Sequence, residues 1–191
     1  MPTINPDHGW QCLERHLAKV RDPRRRALLE CVRDHLKAEA EGDFPGMLGT
    51  LSSDPDYHFW VEGNGFGNGP KGRSAVQAHY EGLFRERRHV CDWDIDRIVV
   101  DEDTVVTEGW FEQLFPGKVL ASRGARVDDE DAVYALRVRL LILWPFDADA
   151  KLVGEDSYMN GSMYAPENLR KLAPEEIPAR FYELPGGALA G

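Results

Sequence analysis

The chain has 191 residues and a formal charge of −10, from 33 acidic and 23 basic side chains. That excess argues against a nucleic-acid partner, whose phosphates need a basic footprint. Three cysteines, an odd number with no C-x-x-C spacing, suggest neither a disulfide framework nor a zinc knuckle. No apolar run reaches bilayer length and the start MPTINPDHGW lacks a signal-peptide profile, so the expected setting is a reducing cytoplasm without membrane contact. The length suits one domain with extensions.

Residues 1–21 read as a helical arm, with Trp10, Leu13, Leu17 and Val20 at helical spacing. Asp22-Pro23 is an N-cap followed by proline at the first helical position. The helix after it carries Leu28, Cys31, Val32 and Leu36 on one face and stops near Gly42. Residues 44–51 add another turn or two of helix. Residues 56–62 (DYHFWVE) are aromatic-rich and alternate, as a first strand does. The glycine-rich loop 63–72 lacks the lysine and strand-to-helix timing of a P-loop and is expected to be a flap over a pocket mouth, with Phe66 as a lid residue. Ser74 and Gln77 form a capping-box pattern before a helix whose apolar face is Val76, Tyr80, Leu83 and Phe84.

Three long strands follow at residues 90–100, 104–115 and 133–144, the first two joined by the turn Asp101-Glu102-Asp103. The connection 118–131 has room for a short strand at 119–122. Over Tyr134, Leu136, Val138, Leu140, Ile142 and Trp144 the two-residue period is unbroken, while Arg137 and Arg139 stand on the opposite face. After the acidic turn Asp147-Ala148-Asp149 a last strand ends in Tyr158-Met159-Asn160. Residues 166–172 are expected to form one helix and the tail 173–191 to be loosely held. A sheet that is apolar on one side needs helices against it, and this order gives an α+β arrangement with helices segregated on one face of a curved sheet.

These residues resemble a known family. Pro70-Lys71-Gly72-Arg73-Ser74-Ala75-Val76 leading to Tyr80, Asp103-Thr104-Val105-Val106, and Phe146-Asp147-Ala148-Asp149 through Leu152-Val153 to Tyr158-Met159-Asn160 are similar to motifs of the nuclear transport factor 2-like superfamily, nearest its SnoaL-like polyketide cyclase branch. The similarity spans about residues 24–172. It implies a cone-shaped α+β barrel, a strongly bent antiparallel sheet with helices packed on its concave face, over residues 22–172. It also implies a homodimer through the sheet's outer face and cofactor-free chemistry on apolar substrates.

Several side chains could carry that chemistry. His58 shares a strand face with Asp56 and Trp60; an imidazole suits a general base, and the carboxylate could orient it. The alternative is a histidine satisfied by a backbone carbonyl or by a second subunit. Glu108 alternates with Val106 and Trp110. Facing inward it would be a buried acid or base; facing outward it would pair with Arg137 or Arg139. Val105 and Phe111 make the opposite face equally apolar, so both orientations stand. Tyr158 and Asn160 share a face with Asp156 and could hold a substrate oxygen, or Tyr158 is core and Asn160 only ends the strand. Trp60, Phe66, Tyr80, Trp110 and Trp144 are the candidate apolar wall. The histidines show no H-E-x-x-H or other local metal spacing, so no metal is expected.

The leading expectation is a cofactor-free cyclase, dehydratase or isomerase acting on a small hydrophobic, carbonyl-bearing molecule. The rival is a non-catalytic module that binds such a molecule or dimerises. It draws support from Asn160, which stands where cyclase-like members tend to carry an aspartate. Convergence of two ionisable side chains inside the cone would discriminate between them.

Overall fold

A computed structural model describes residues 4–62 and 67–183, apart from the side chains of Glu62 and Asn160. Helix α1 (His8–Leu17) buries Cys12, Leu13 and Leu17 against α2 (Pro23–Glu41) and the sheet. Asp22 caps α2 by accepting the Arg25 N–H at 2.9 Å, and Gly42 ends it in the left-handed region at φ 70°. The short α3 (Phe44–Gly49) leads into β1 (Leu51–Glu62), which starts five residues before the aromatic run. Helix α4 (Arg73–Arg85) begins after Gly72, at φ 79°, and has no side-chain cap. Ser74 therefore lies inside the first turn instead of capping it.

The long strands are β2 (Cys91–Val100), β3 (Thr104–Pro116), β4 (Val133–Pro145) and β5 (Leu152–Ser162). They form one sheet in the order β1-β5-β4-β3-β2, with β6 (Leu169–Lys171) also paired to β4. The pairs are antiparallel except β1 with β5, which run parallel, so the sheet is mixed. Two connections differ from expectation. Residues Gly117–Ser122 form a short helix, α5, because Leu120 is fully buried three residues after buried Gly117, a helical spacing that a strand cannot provide. Residues 166–172 form a single 3₁₀ turn and then β6, which pairs with Tyr134, Ala135 and Leu136.

The bend has a local cause. The β2–β3 register slips between Ile95 and Arg97, opposite Gly109 and Glu108, and such a bulge bends a strand. A Cβ on Gly109 would lie 2.2 Å from the Asp94 carbonyl oxygen, so only glycine permits this approach. The alternating side chains of β4 are buried from Tyr134 to Trp144, and the Trp144 indole donates to Thr107 Oγ1 on β3 at 2.8 Å. Helices α2 and α4 cover this concave side, with Leu28, Leu29, Val32 and Val76 packed among Tyr57, Val105 and Trp144.

Beyond β6 the tail stays attached as far as Phe181, which is 2% exposed and packs with Ile4, Val90, Leu114 and Leu172. Arg180 adds to the attachment, donating to Asp7 Oδ1 at 2.9 Å, and residues 184–191 of the tail lie outside the described residues. Among the described residues, no helix is long and apolar enough to cross a membrane.

Candidate functional site

Between α2, α4 and the concave sheet lies a cavity of about 140 Å³, close to the volume of about 150 Å³ that accommodates a benzene-sized molecule. Its apolar wall includes Phe59, Leu140, Ile142, Trp144 and Met159, and its polar groups include Glu39, His79, Tyr80, Gln113 and Glu155. A smaller cavity of about 50 Å³ shares Leu36, Glu39, Cys91, Trp93 and Phe111 with it and adds Trp10 of α1. The buried Trp93 indole borders both, and its N–H has no acceptor among the described residues. It is a donor available to a ligand oxygen.

Glu39 and Glu155 are the chemical centre of the cavity. Glu39 comes from α2, where Leu28, Val32 and His35 are buried on the same stripe. Burial pushes its carboxyl up to about 8, and the charge of Glu155 adds to the effect. Burial likewise raises Glu155 to about 7, opposed by Ser157, whose hydroxyl donates to Oε1 at 2.8 Å. Both residues line the cavity, and among the described residues no lysine or arginine forms an ion pair with either.

Tyr80 is held by a fixed chain of hydrogen bonds. The Thr50 hydroxyl donates to the Met47 carbonyl at 2.6 Å, so it can only accept from His35 Nδ1, 2.8 Å away. His35 is wholly buried and pushed down to about 4 by that burial, so the ring is neutral and Nε2 is the acceptor for the Tyr80 hydroxyl at 3.0 Å. Tyr80 also favours the ionised form of Glu155. His79, on the cavity wall, is pushed down to about 4 by burial and by Arg88.

The residues picked from the sequence divide between the two faces of the sheet. Tyr80 and Trp144 border the cavity. His58, Asp56, Trp60 and Tyr158 come together, but on the convex side. His58 Nδ1 lies 2.7 Å from Asp156 Oδ1 and its Nε2 3.8 Å from Asp56 Oδ1. Trp60 stacks between His58 and Tyr158, with ring centroids 6.0 and 6.2 Å apart. The two-residue period of β1 explains this, since Phe59 and Val61 take the cavity side and 56, 58 and 60 must face outward. Of the two orientations open for Glu108 and Trp110 the outward one is found, so neither borders the cavity, because Val105 and Thr107 are fully buried on the other face. Glu108 pairs with Arg97 and Arg139, and Trp110 is 41% exposed beneath the Arg137 guanidinium, 4.3 Å from its ring centroid. Phe66 lies outside the described residues, as does the side chain of Asn160.

Sequence reasoning missed Glu39 and Glu155. A signal existed for the first, an acidic residue placed where the α2 apolar stripe continues. For the second there was less, since Glu155-Asp156 gives no hint of which acid points inward.

Residues 32–139 match the model of the SnoaL-like domain. The chain belongs to that family. Solved structures share the fold of this SnoaL-like chain at low identity. A putative SnoaL-like polyketide cyclase from Jannaschia sp. CCS1 is 14% identical with a TM-score of 0.56, covering 74% of this chain and 90% of its own. One from Shewanella denitrificans OS-217 is 14% identical with a TM-score of 0.55, covering 70% and 90%. RV0760c from Mycobacterium tuberculosis, in complex with estradiol-17β-hemisuccinate, is 13% identical with a TM-score of 0.54, covering 75% and 98%. No curated protein matches the sequence.

The buried acids give this SnoaL-like domain a particular pH dependence. Each carboxyl holds its proton more tightly folded than unfolded. Its contribution to stability is full below the ordinary value of 4.5 and is lost as pH rises through about 7 for Glu155 and about 8 for Glu39. His35 and His79 have the opposite sign, losing stability as pH falls from 6.5 toward about 4. Thermal melts are expected to show stability falling from pH 6.5 to about 8, and the double variant Glu39→Gln, Glu155→Gln to flatten that limb only. An alkaline limb of the same slope in the double variant would contradict the burial of these acids.

Proposed function

We propose that the protein is a cofactor-free acid–base enzyme that relocates a proton on a small, largely apolar, carbonyl-bearing molecule held in the cone. The observation that carries this reading is the convergence of two carboxyls, at about 8 and about 7, in one apolar cavity. A base works best when its proton affinity matches the operating pH, and neighbouring carboxyls pushed to different values divide into an acid and a base. Glu155, the more readily ionised, takes a proton from the carbon beside the carbonyl. The electron pair of that C–H bond moves to the carbonyl oxygen, which Glu39 protonates. Return of the proton from Glu155 to a different carbon, with Glu39 recovering its own from the enol, is an isomerisation. Loss of a β-hydroxyl as water, with Glu39 recovering its proton from the enol and passing it to the departing oxygen before the proton on Glu155 returns to Glu39, is a dehydration. The Trp93 N–H is a further donor for the substrate oxygen.

The cavity volume limits a substrate to about one ring unless the smaller cavity beside Trp10 joins it. Estradiol-17β-hemisuccinate in the similar RV0760c structure supports an apolar ring system as the class of guest. The mostly hydrocarbon lining also favours the second reading, a binding module without turnover.

On the convex face Val99, Trp110 and Tyr158 are 54%, 41% and 40% exposed. We place a second copy of the chain there, giving a homodimer that leaves both cavities free. Sedimentation is expected to show a dimer for the parent and a monomer for Trp110→Asp; an unchanged mass would reject this face.

The reaction itself is checked by α-proton exchange of single-ring ketones in heavy water, followed by NMR. Glu155→Gln is expected to lose at least ~100-fold of the exchange rate, as removal of a general base does, while still binding the ketone. His58→Ala should exchange at the parent rate. Ketone binding by the parent with exchange no faster than buffer would leave the binding module as the function.

A further inference from the structure

Away from the cavity, three potential metal ligands meet where α1 crosses β2. His8 and Cys12 are four residues apart on α1 and so share one face of the helix, and Asp94 comes from β2. One ligand atom from each, an imidazole nitrogen, the Cys12 Sγ and an Asp94 carboxylate oxygen, lie within 4.8 Å of one another. The His8 Nε2 to Asp94 Oδ1 distance is 3.7 Å, near the ~3.5 Å that tetrahedral zinc imposes on its ligands. We propose that His8, Cys12 and Asp94 bind a zinc-class divalent cation, with water completing the coordination, and that the ion fastens α1 to the sheet.

The surroundings suit such a site. Asp92 Oδ1 lies 2.9 Å from His8 Nδ1, and a carboxylate can only accept, so in the neutral ring Nδ1 carries the proton and the Nε2 lone pair is directed at the cluster. This carboxylate–histidine pairing is how metal-bound imidazoles are oriented. Asp92 is itself fixed, because its Oδ2 accepts the Asn5 N–H at 2.8 Å. Asp92 and Asp94 bring two negative charges against the one positive charge of Arg15, which donates to Cys12 Sγ at 2.9 Å. That imbalance favours a dication. The ligand set of nitrogen, sulfur and oxygen suits zinc or cobalt better than calcium or magnesium, which take oxygen ligands. The pattern is hidden in the sequence because the third ligand lies about 80 residues beyond the first two.

The site is separate from the carboxyl pair, and its test is independent of any activity. Reduced full-length protein is titrated with cobalt(II) and then with zinc(II). The parent is expected to take up one cobalt with a thiolate-to-metal charge-transfer band and the intense visible bands of four-coordination, zinc to displace it, and zinc to raise the melting temperature. Cys12→Ser should abolish the charge-transfer band. His8 is only half-buried, so His8→Gln keeps the fold testable if the cysteine variant does not fold, and it should weaken zinc binding at least tenfold with unchanged circular dichroism. No thiolate band in the parent, a band that survives Cys12→Ser, or zinc affinity unaltered in His8→Gln would each overturn the proposal.

Discussion

Two acids share a concavity in which, among the described residues, no basic side chain forms an ion pair with either, Arg88 on the same wall being paired with Glu86, and this one electrostatic constraint organises the interior. An isolated charge in an apolar medium costs far more than a domain's net stability, so Glu39 and Glu155 keep their protons well above the ordinary carboxylate range. The protein accepts this cost at the wall of the cavity. His35, Thr50 and Tyr80 support the arrangement with a neutral hydrogen-bond chain that fills the space behind the acids without adding charge.

Sheet curvature makes the concavity possible. The bulge in β2 and the close approach at Gly109 bow the β2–β3 pair, and parallel pairing of β1 with β5 brings Phe59 and Ser157 to the same wall. Period-two alternation then sends every second residue outward. The convex face gathers what the interior cannot hold, with Glu108 between Arg97 and Arg139, His58 between Asp56 and Asp156, and Trp110 under Arg137. Catalytic-looking clusters thus form on both sides of one sheet, and the inner one adjoins the cavity.

Sequence alone conveyed the architecture better than the site. The six apolar positions of β4 fixed a strand face without ambiguity, Asp22-Pro23 and Gly42 bounded α2, and the motif resemblance pointed to the SnoaL-like cone. Orientation was lost where both faces of a strand carry large side chains. In β1, Trp60 and Phe59 compete for the core, and in β3, Trp110 and Phe111 do; volume alone favours the tryptophans, yet both lie on the convex side. In β5, Leu152 packs in the core and Glu155 borders the cavity, so the alternation breaks between them and projects the wrong acid inward. The parallel β1–β5 contact joins segments about 100 residues apart, beyond what local pattern conveys. Glu39 was legible in principle, as a charge standing on an otherwise apolar helical stripe.

The central claim is that Glu39 and Glu155 hold protons near neutrality inside the cone. Carbon-13 NMR of protein labelled at the glutamate carboxyls tests it directly by following each resonance against pH. The account predicts two resonances whose titration is centred near 7 and 8, each assignable by its loss in the corresponding glutamine variant. If every glutamate titrated near the ordinary 4.5, the buried acid pair, and the chemistry built on it, would be contradicted.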